Sequence, residues 1–253
     1  MGAARDSGRV LGAGGRVLGT ARAAGASAGA DAGGSAGAFP SSLAAPLLTA
    51  RLELRPWRDD AADLDAYAAL CADPDVMRHI GAGEPLTRAQ AAAQLTRFAE
   101  HWERHGYGLR AAVLRDSGEL AGFVGVARAG QPGVRPGDVE IGWRLARRFW
   151  GRGLATEGAL AVRDHAFARL RLARLVAFVR PANAASIAVM RKLGMEPLRD
   201  ATCSFGRPMR IFALDNPLAA GRSAAGPSGD RPAPAPPSAS GPPPTGRPAD
   251  ADR

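Results

Sequence analysis

The segment ARLVAFVRP, residues 173–181, limits the fold more than any other part of the chain. A strand with one wet face alternates apolar and polar residues, whereas this one is apolar almost throughout, the pattern of a strand at the centre of a sheet covered on both sides. Helices must therefore flank it on two faces. Helical patterns are found on either side of it in sequence. Leu154, Leu160, Ala161, Phe167 and Leu170 fit one buried face of a helix running from Leu154 to about Leu170, and NAASIAVMRKLG carries Ile187, Met190 and Leu193 on one side. Asn183 is a good N-cap for the second helix and Gly194 its C-terminal stop.

The rest of the pattern extends upstream. RLELRPWR (51–58) predicts a short or edge strand that stops at Pro56. Asp60, with Asp63 three residues on, opens a helix through about Ala72, and Thr87 with Gln90 forms a capping box for a second helix, closed by Gly106. Its Leu95, Phe98 and Trp102 read as core. YGLRAAVLRD and GELAGFVGVAR form a hairpin around DSGE, and DVEIGWRL (138–145) is a further strand. RPMRIFALD closes the domain. The order is β-α-α-β-β-β-α-β-α-β, with a further strand possible at the end: one mixed α/β sheet with helices on both faces.

This domain occupies about 47–218. Residues 1–46 are mostly Ala, Gly and Ser, and 219–253 mostly Pro, Ala, Gly and Ser, so both are expected to be disordered tails unable to bury a face. The RVLG repeat and GAGG of the first tail have no strand before them and make no dinucleotide loop. Of the formal charge of +9, +6 belongs to the middle region, where basic residues are interspersed with acids as in RPWRDDAADLD. That describes a mixed surface, without the basic stripe and stacking aromatics of a nucleic-acid binder. Lys192 is the only lysine, which points to a high-GC coding bias. Cys71 and Cys203 are too few for a disulfide framework, and no His/Cys spacing suits a metal. No apolar run is long enough to span a membrane, Arg9 and Arg16 interrupt any signal-like core, and glycines spoil a transit-peptide helix. A reduced cytoplasm is the default expectation.

Between the strand ending at Leu145 and the helix starting at Leu154 lies RRFWGRGLATEG, residues 147–158. A glycine-bearing turn from strand to helix presents bare backbone N–H groups and the positive end of the helix dipole, an arrangement suited to phosphate or diphosphate. The nucleotide P-loop and the dinucleotide fingerprint both fail on spacing. What fits is Arg148-x-x-Gly151-x-Gly153. Placed after EIGWRL and before ATEG, and followed by N-x-x-S-x-x-x-M-x-K-L-G-M, it resembles the GCN5-related N-acetyltransferase (GNAT) superfamily, and within it the RimJ/RimL-type branch, over about 51–214.

The resemblance implies a mixed, mostly antiparallel sheet of six or seven strands, splayed between the fourth and fifth, and acetyl-CoA as acyl donor. The diphosphate would rest on backbone amides from Arg148 through Gly151, Arg152, Gly153 and Leu154 to Ala155, with the Thr156 hydroxyl. The pantetheine arm would pair with the strand at Ile141, Trp143 and Leu145, and with Asn183, which equally serves as a helix cap. Arg152 and Arg191 either meet phosphates or face solvent. Glu140 would be the general base, or else a surface or salt-bridged carboxylate. Ser186 would protonate the departing thiolate, or else cap the helix, because Met190 fills the slot where many relatives carry a tyrosine. The acceptor, a peptide N-terminus or a small amine, would lie among Met77, Arg78, His79, Trp102 and SFGRPMR. The expected state is monomer or homodimer, without nucleic acid, membrane or metal. The competing reading is an acetyl-CoA-binding sensor or scaffold that has lost catalysis.

Overall fold

A computed structural model of the chain describes residues 45–217 and residue 219. The expected tails, 1–46 and 219–253, lie outside the described residues apart from Ala45, Pro46 and Ala219. Strands β1 (Leu47–Leu48) and β2 (Leu52–Arg55) lead into α1 (Ala61–Ala72), the single-turn α2 (Pro74–Met77) and α3 (Arg88–His105). Then come β3 (Leu109–Leu114), β4 (Leu120–Arg128), β5 (Val139–Leu145), α4 (Leu154–Ala168), β6 (Arg174–Val179), α5 (Ala184–Lys192), β7 (Glu196–Thr202) and β8 (Pro208–Asp215). All eight strands form one sheet in the order β1-β2-β3-β4-β5-β6-β8-β7. Only β5 and β6 run parallel; every other neighbouring pair is antiparallel.

The expected helix signals operate as read. Thr87 and Gln90 make a reciprocal capping box, and Gly106 ends α3 in the left-handed conformation at φ 70°. Asp60 caps α1 by accepting from Asp63 N–H at 2.9 Å. The Asp63 carboxylate itself turns to the Arg55 guanidinium, at 2.6 and 2.7 Å, and to Arg58 N–H at 2.8 Å.

The described residues form eight strands where six or seven were expected, and β1 and β7 are the two without a sequence signal. β1 is two residues long, too short to carry a pattern, and it makes β2 an interior strand where the sequence allowed an edge. β7 is almost wholly exposed, so EPLRDAT has no alternation to show. Phe123 of β4 packs on Tyr67 of α1 and Phe98 of α3, with ring centroids 6.3 and 5.7 Å away. Each such buried side chain contributes about 2 kcal/mol. Val124, the next residue, faces the other way, onto α4: a Cβ on Gly158 would stand 3.1 Å from Val124 Cγ2 and 3.3 Å from Leu52 Cδ1. Because Arg144 pairs with Phe123 and Trp143 with Val124, Glu140, Gly142 and Arg144 share the face of α1 and α3. Ile141, Trp143 and Leu145 share the face of α4.

Candidate active site

β5 pairs with β4 along its whole length but with β6 only at Val139↔Leu175 and Glu140↔Val176. Beyond residue 140 the two strands part, and a cleft of about 490 Å³ opens between Ile141–Leu145 on one side and Phe178–Arg180 on the other. The β6-facing edge of Ile141–Leu145 has no ladder partner, so its backbone groups, apart from the Leu145 carbonyl that accepts from the Trp150 indole, are available to an extended ligand laid in like an additional strand.

At one end of the cleft lies the glycine loop. Phe149, 3% exposed, anchors a 3-10 turn at Arg147–Phe149 in the core. Gly151 and Gly153 then take φ 71° and 77°, a region that costs other residues strain. The N–H groups of residues 151–156 find no backbone acceptor among the described residues; Glu157 N–H, bonded to Gly153 O at 3.0 Å, is the first that does. Arg51 holds the loop from behind, donating to Arg152 O at 2.9 Å and pairing with Glu157 at 2.6 Å. A Cβ on Gly151 would meet nothing within 4 Å, so the space above the bare amides is open. Unpartnered donors at the positive end of α4 fit a diphosphate.

Glu140 sits where the strands diverge. It is 4% exposed, and its Oε2 has no hydrogen-bond partner among the described residues. Burial pushes its carboxyl up to about 8, the range of a group that exchanges protons near neutrality. It forms no ion pair there, contrary to the salt-bridged alternative. Across the cleft, Asn183 caps α5 by accepting from Ser186 N–H at 3.1 Å, which commits its oxygen and leaves its amide nitrogen. Ser186 is half-buried and lines the cleft, as does Met190.

The structure brings Glu140, Ile141, Trp143, Leu145, Gly151, Gly153, Leu154, Ala155, Thr156, Asn183 and Ser186 to one cleft. Arg148 and Arg152 are not among its lining. Arg148 pairs with Glu119 at 2.5 Å, and the Arg152 guanidinium lies 5.7 Å from the Phe149 ring centroid. Arg191 is exposed and also lies off the cleft. Of the residues expected around an acceptor, Arg78, His79, Phe205 and Met209 line the cleft, and Cys203, just before that segment, joins them. Met77 is buried, and Trp102 donates to Leu109 O at 3.1 Å on the outer part of the sheet. Sequence reasoning passed over Trp150, whose indole donates to Leu145 O at 2.7 Å, and Arg180. The signal for Arg180 was its position, directly after the central strand and before the Asn183 cap.

Among the described residues, no helix is long and apolar enough to cross a membrane, and no group of His, Cys, Asp and Glu could hold a metal ion. Residues 51–196 match the model of the acetyltransferase (GNAT) domain family. The chain is 34% identical to the uncharacterized protein YkkB of Bacillus subtilis (strain 168) over 152 residues, 59% of this chain and 84% of the relative. An acetyltransferase structure from Agrobacterium tumefaciens str. C58 is 31% identical, with a TM-score of 0.57, covering 67% of this chain and 93% of that one. A ribosomal L7/L12 alpha-N-protein acetyltransferase, RimL, solved with coenzyme A, shares the fold at a TM-score of 0.55 and 18% identity, covering 67% of this chain and 97% of that one.

Proposed function

Since this chain belongs to the GNAT acetyltransferase family and uses acetyl-CoA as that family does, we propose that it acetylates a primary amine, a protein N-terminus or a small molecule, by direct attack on the thioester in the cleft between β5 and β6. The observation that carries this reading is the buried, unpartnered Glu140 at the point of divergence, with the bare amides of 151–156 at the other end of the same cleft. Acetyl-CoA, when bound, supplies the activated acyl group. The amides of 151–156 hold its diphosphate, and the open edge of Ile141 and Trp143, with the Leu145 N–H beyond them, receives the pantetheine amides, with the Asn183 amide nitrogen in reach of the same arm.

An amine attacks only when neutral. Glu140, with a proton affinity close to that of an amine, takes the ammonium proton directly or through a water. A backbone N–H of β5 stabilises the developing oxyanion. The Ser186 hydroxyl donates to the departing sulfur, in place of the tyrosine that Met190 displaces. The RimJ/RimL-type likeness of the motifs makes that branch the proposed one, and acetyl-CoA as donor makes the cytoplasm the proposed site of action.

The test is a thiol-release assay with purified protein, acetyl-CoA and a panel of amines and peptide N-termini. Release that depends on the amine is expected. Tight coenzyme binding with no release from any acceptor would favour the sensor reading instead.

A further inference from the structure

The Glu140 face of the cleft gathers cations without matching carboxylates. β6 runs on from Phe178 into Arg180, on the same face as Val176, the partner of Glu140. The Arg180 guanidinium turns to the segment between α2 and α3, donating from Nε to His79 O at 3.2 Å and from Nη2 to Gly81 O. These two carbonyls fix its plane and leave Nη1 for a ligand. Arg78 and His79 border the same space. Arg207, in the turn between β7 and β8, stands outside the cleft lining, its Nη1 3.2 Å from where a Cβ on Gly83 would stand, near enough for its charge to act on Arg180.

The charges act on one another. Burial and then Arg207 lower the Arg180 pKa, with only the Cys203 thiol opposing, and burial, Arg78 and Arg180 lower that of His79. The carboxylates lining the cleft are Glu140 and Asp75. Glu140, pushed up to about 8 by burial, is mostly neutral at pH 7 and charged only in the form that accepts a proton, and Asp75 is engaged by Arg147 at 2.5 Å and Arg78 at 3.6 Å. Phe178, Phe205 and Met209 supply an apolar wall beside the cations.

We infer that the amine acceptor carries an anionic group, a carboxylate or a phosphate, on an apolar or aromatic body, and that Arg180, with His79 beside it and the Arg207 charge behind it, holds that group. This rests on the acetyl-transfer reading and names the substrate class for it. A neutral acceptor leaves the cations repelling one another across a partly desolvated cleft, whereas an anionic one turns repulsion into pairing and repels wrong partners. The same charges disfavour the ammonium form of the acceptor, which helps deliver the neutral amine.

Three matched acceptors test it: 4-(aminomethyl)benzoate, 4-(aminomethyl)phenylphosphonate and the neutral 4-(aminomethyl)benzamide. At low salt, kcat/KM for at least one of the anions should exceed that for the benzamide by tenfold or more, and the ratio should shrink in 0.5 M salt. Arg207→Gln, at an exposed position, and Arg180→Gln should each cut the ratio of anion to benzamide efficiency severalfold. Equal efficiency for all three, or preference for the benzamide, overturns the inference and leaves acetyl transfer standing. Absence of thiol release from every amine counts against the acetyl-transfer reading. The anion subsite is then read without chemistry, by calorimetric titration of the coenzyme A-bound protein with 4-methylbenzoate. Binding that Arg180→Gln weakens supports the subsite, and no binding overturns it.

Discussion

Glu140 stands opposite Val176 at the last register pair between β5 and β6, so the residue that closes the ladder is also the first to face the cleft. The pairing buries the carboxyl, and the divergence just beyond leaves it without a partner. A single change in strand direction thus accounts for both its raised proton affinity and its access to a ligand.

Bulk at the glycine loop should weaken donor binding selectively. Gly151→Val and Gly153→Val each force a branched side chain into a left-handed backbone, at Gly151 into open space and at Gly153 toward Arg51 Nη2, 3.6 Å from the added Cβ, so each distorts the turn that aims the bare amides. The KM for acetyl-CoA should rise more than tenfold, about 1.4 kcal/mol or more, with the far-ultraviolet spectrum unchanged. An unchanged KM in a folded variant would put the diphosphate elsewhere.

Ser186→Ala should lower kcat about tenfold, below the span of ordinary acid–base groups. An acyl donor with a better thiol leaving group should restore the rate if the hydroxyl protonates sulfur. Loss that persists with such a donor would reduce Ser186 to a residue that shapes the cleft wall.

Asp63 and Arg55 form a buried pair, with side chains 5% and 9% exposed. Burial raises the Asp63 pKa, but the Arg55 hydrogen bond, the Arg58 amide and both positive charges outweigh it and hold the carboxyl below its ordinary value. A carboxyl depressed in the folded state adds stability that is present above its unfolded pKa near 3.8 and is lost as pH falls through the lower folded value. Asp63→Asn should cost about 3 kcal/mol at pH 7, read by urea unfolding. The difference from wild type should vanish in strong acid.

The domain boundary can be tested at its first described residues. Arg110, 3% exposed and pushed down to about 10 by burial, donates to Ala45 O at 2.9 Å. A truncation keeping 45–219 should unfold cooperatively and retain coenzyme A, and one starting at Leu47 should melt several degrees lower because an acceptor of a buried cation is cut away. Equal melting temperatures would make the Ala45 contact incidental.

Signals written in local chemistry were legible. Caps at Asp60, Thr87 and Asn183, the stop at Gly106, the hairpin at DSGE and the central run of β6 each specify a backbone geometry within a few residues. β1 and β7 were hidden, the first by its length and the second because an exposed edge strand carries no apolar alternation. At the site, the glycine loop stood out by its spacing and Glu140 came from the family resemblance, and the structure brings both to one cleft. Arg148 and Arg152 could not be judged that way, since spacing fixes the turn of the backbone but not its side chains, which lie against Glu119 and Phe149. Arg180 was missed because its role depends on the carbonyls of His79 and Gly81, about a hundred residues away in the chain.

Catalysis by Glu140 is tested most directly by the pH dependence of kcat/KM for wild type and Glu140→Gln, with coenzyme A affinity measured by calorimetry on both. A base acts only once deprotonated, so wild-type activity should climb as pH rises and level off above about 8, the value to which burial pushes the carboxyl. Glu140→Gln should run about a hundredfold slower near neutrality, with the gap narrowing in alkali as free amine becomes abundant, and should bind coenzyme A nearly as well. A variant that keeps the wild-type rate and profile, or that loses coenzyme A affinity in step with its rate, would contradict this role and reduce Glu140 to a structural member of β5.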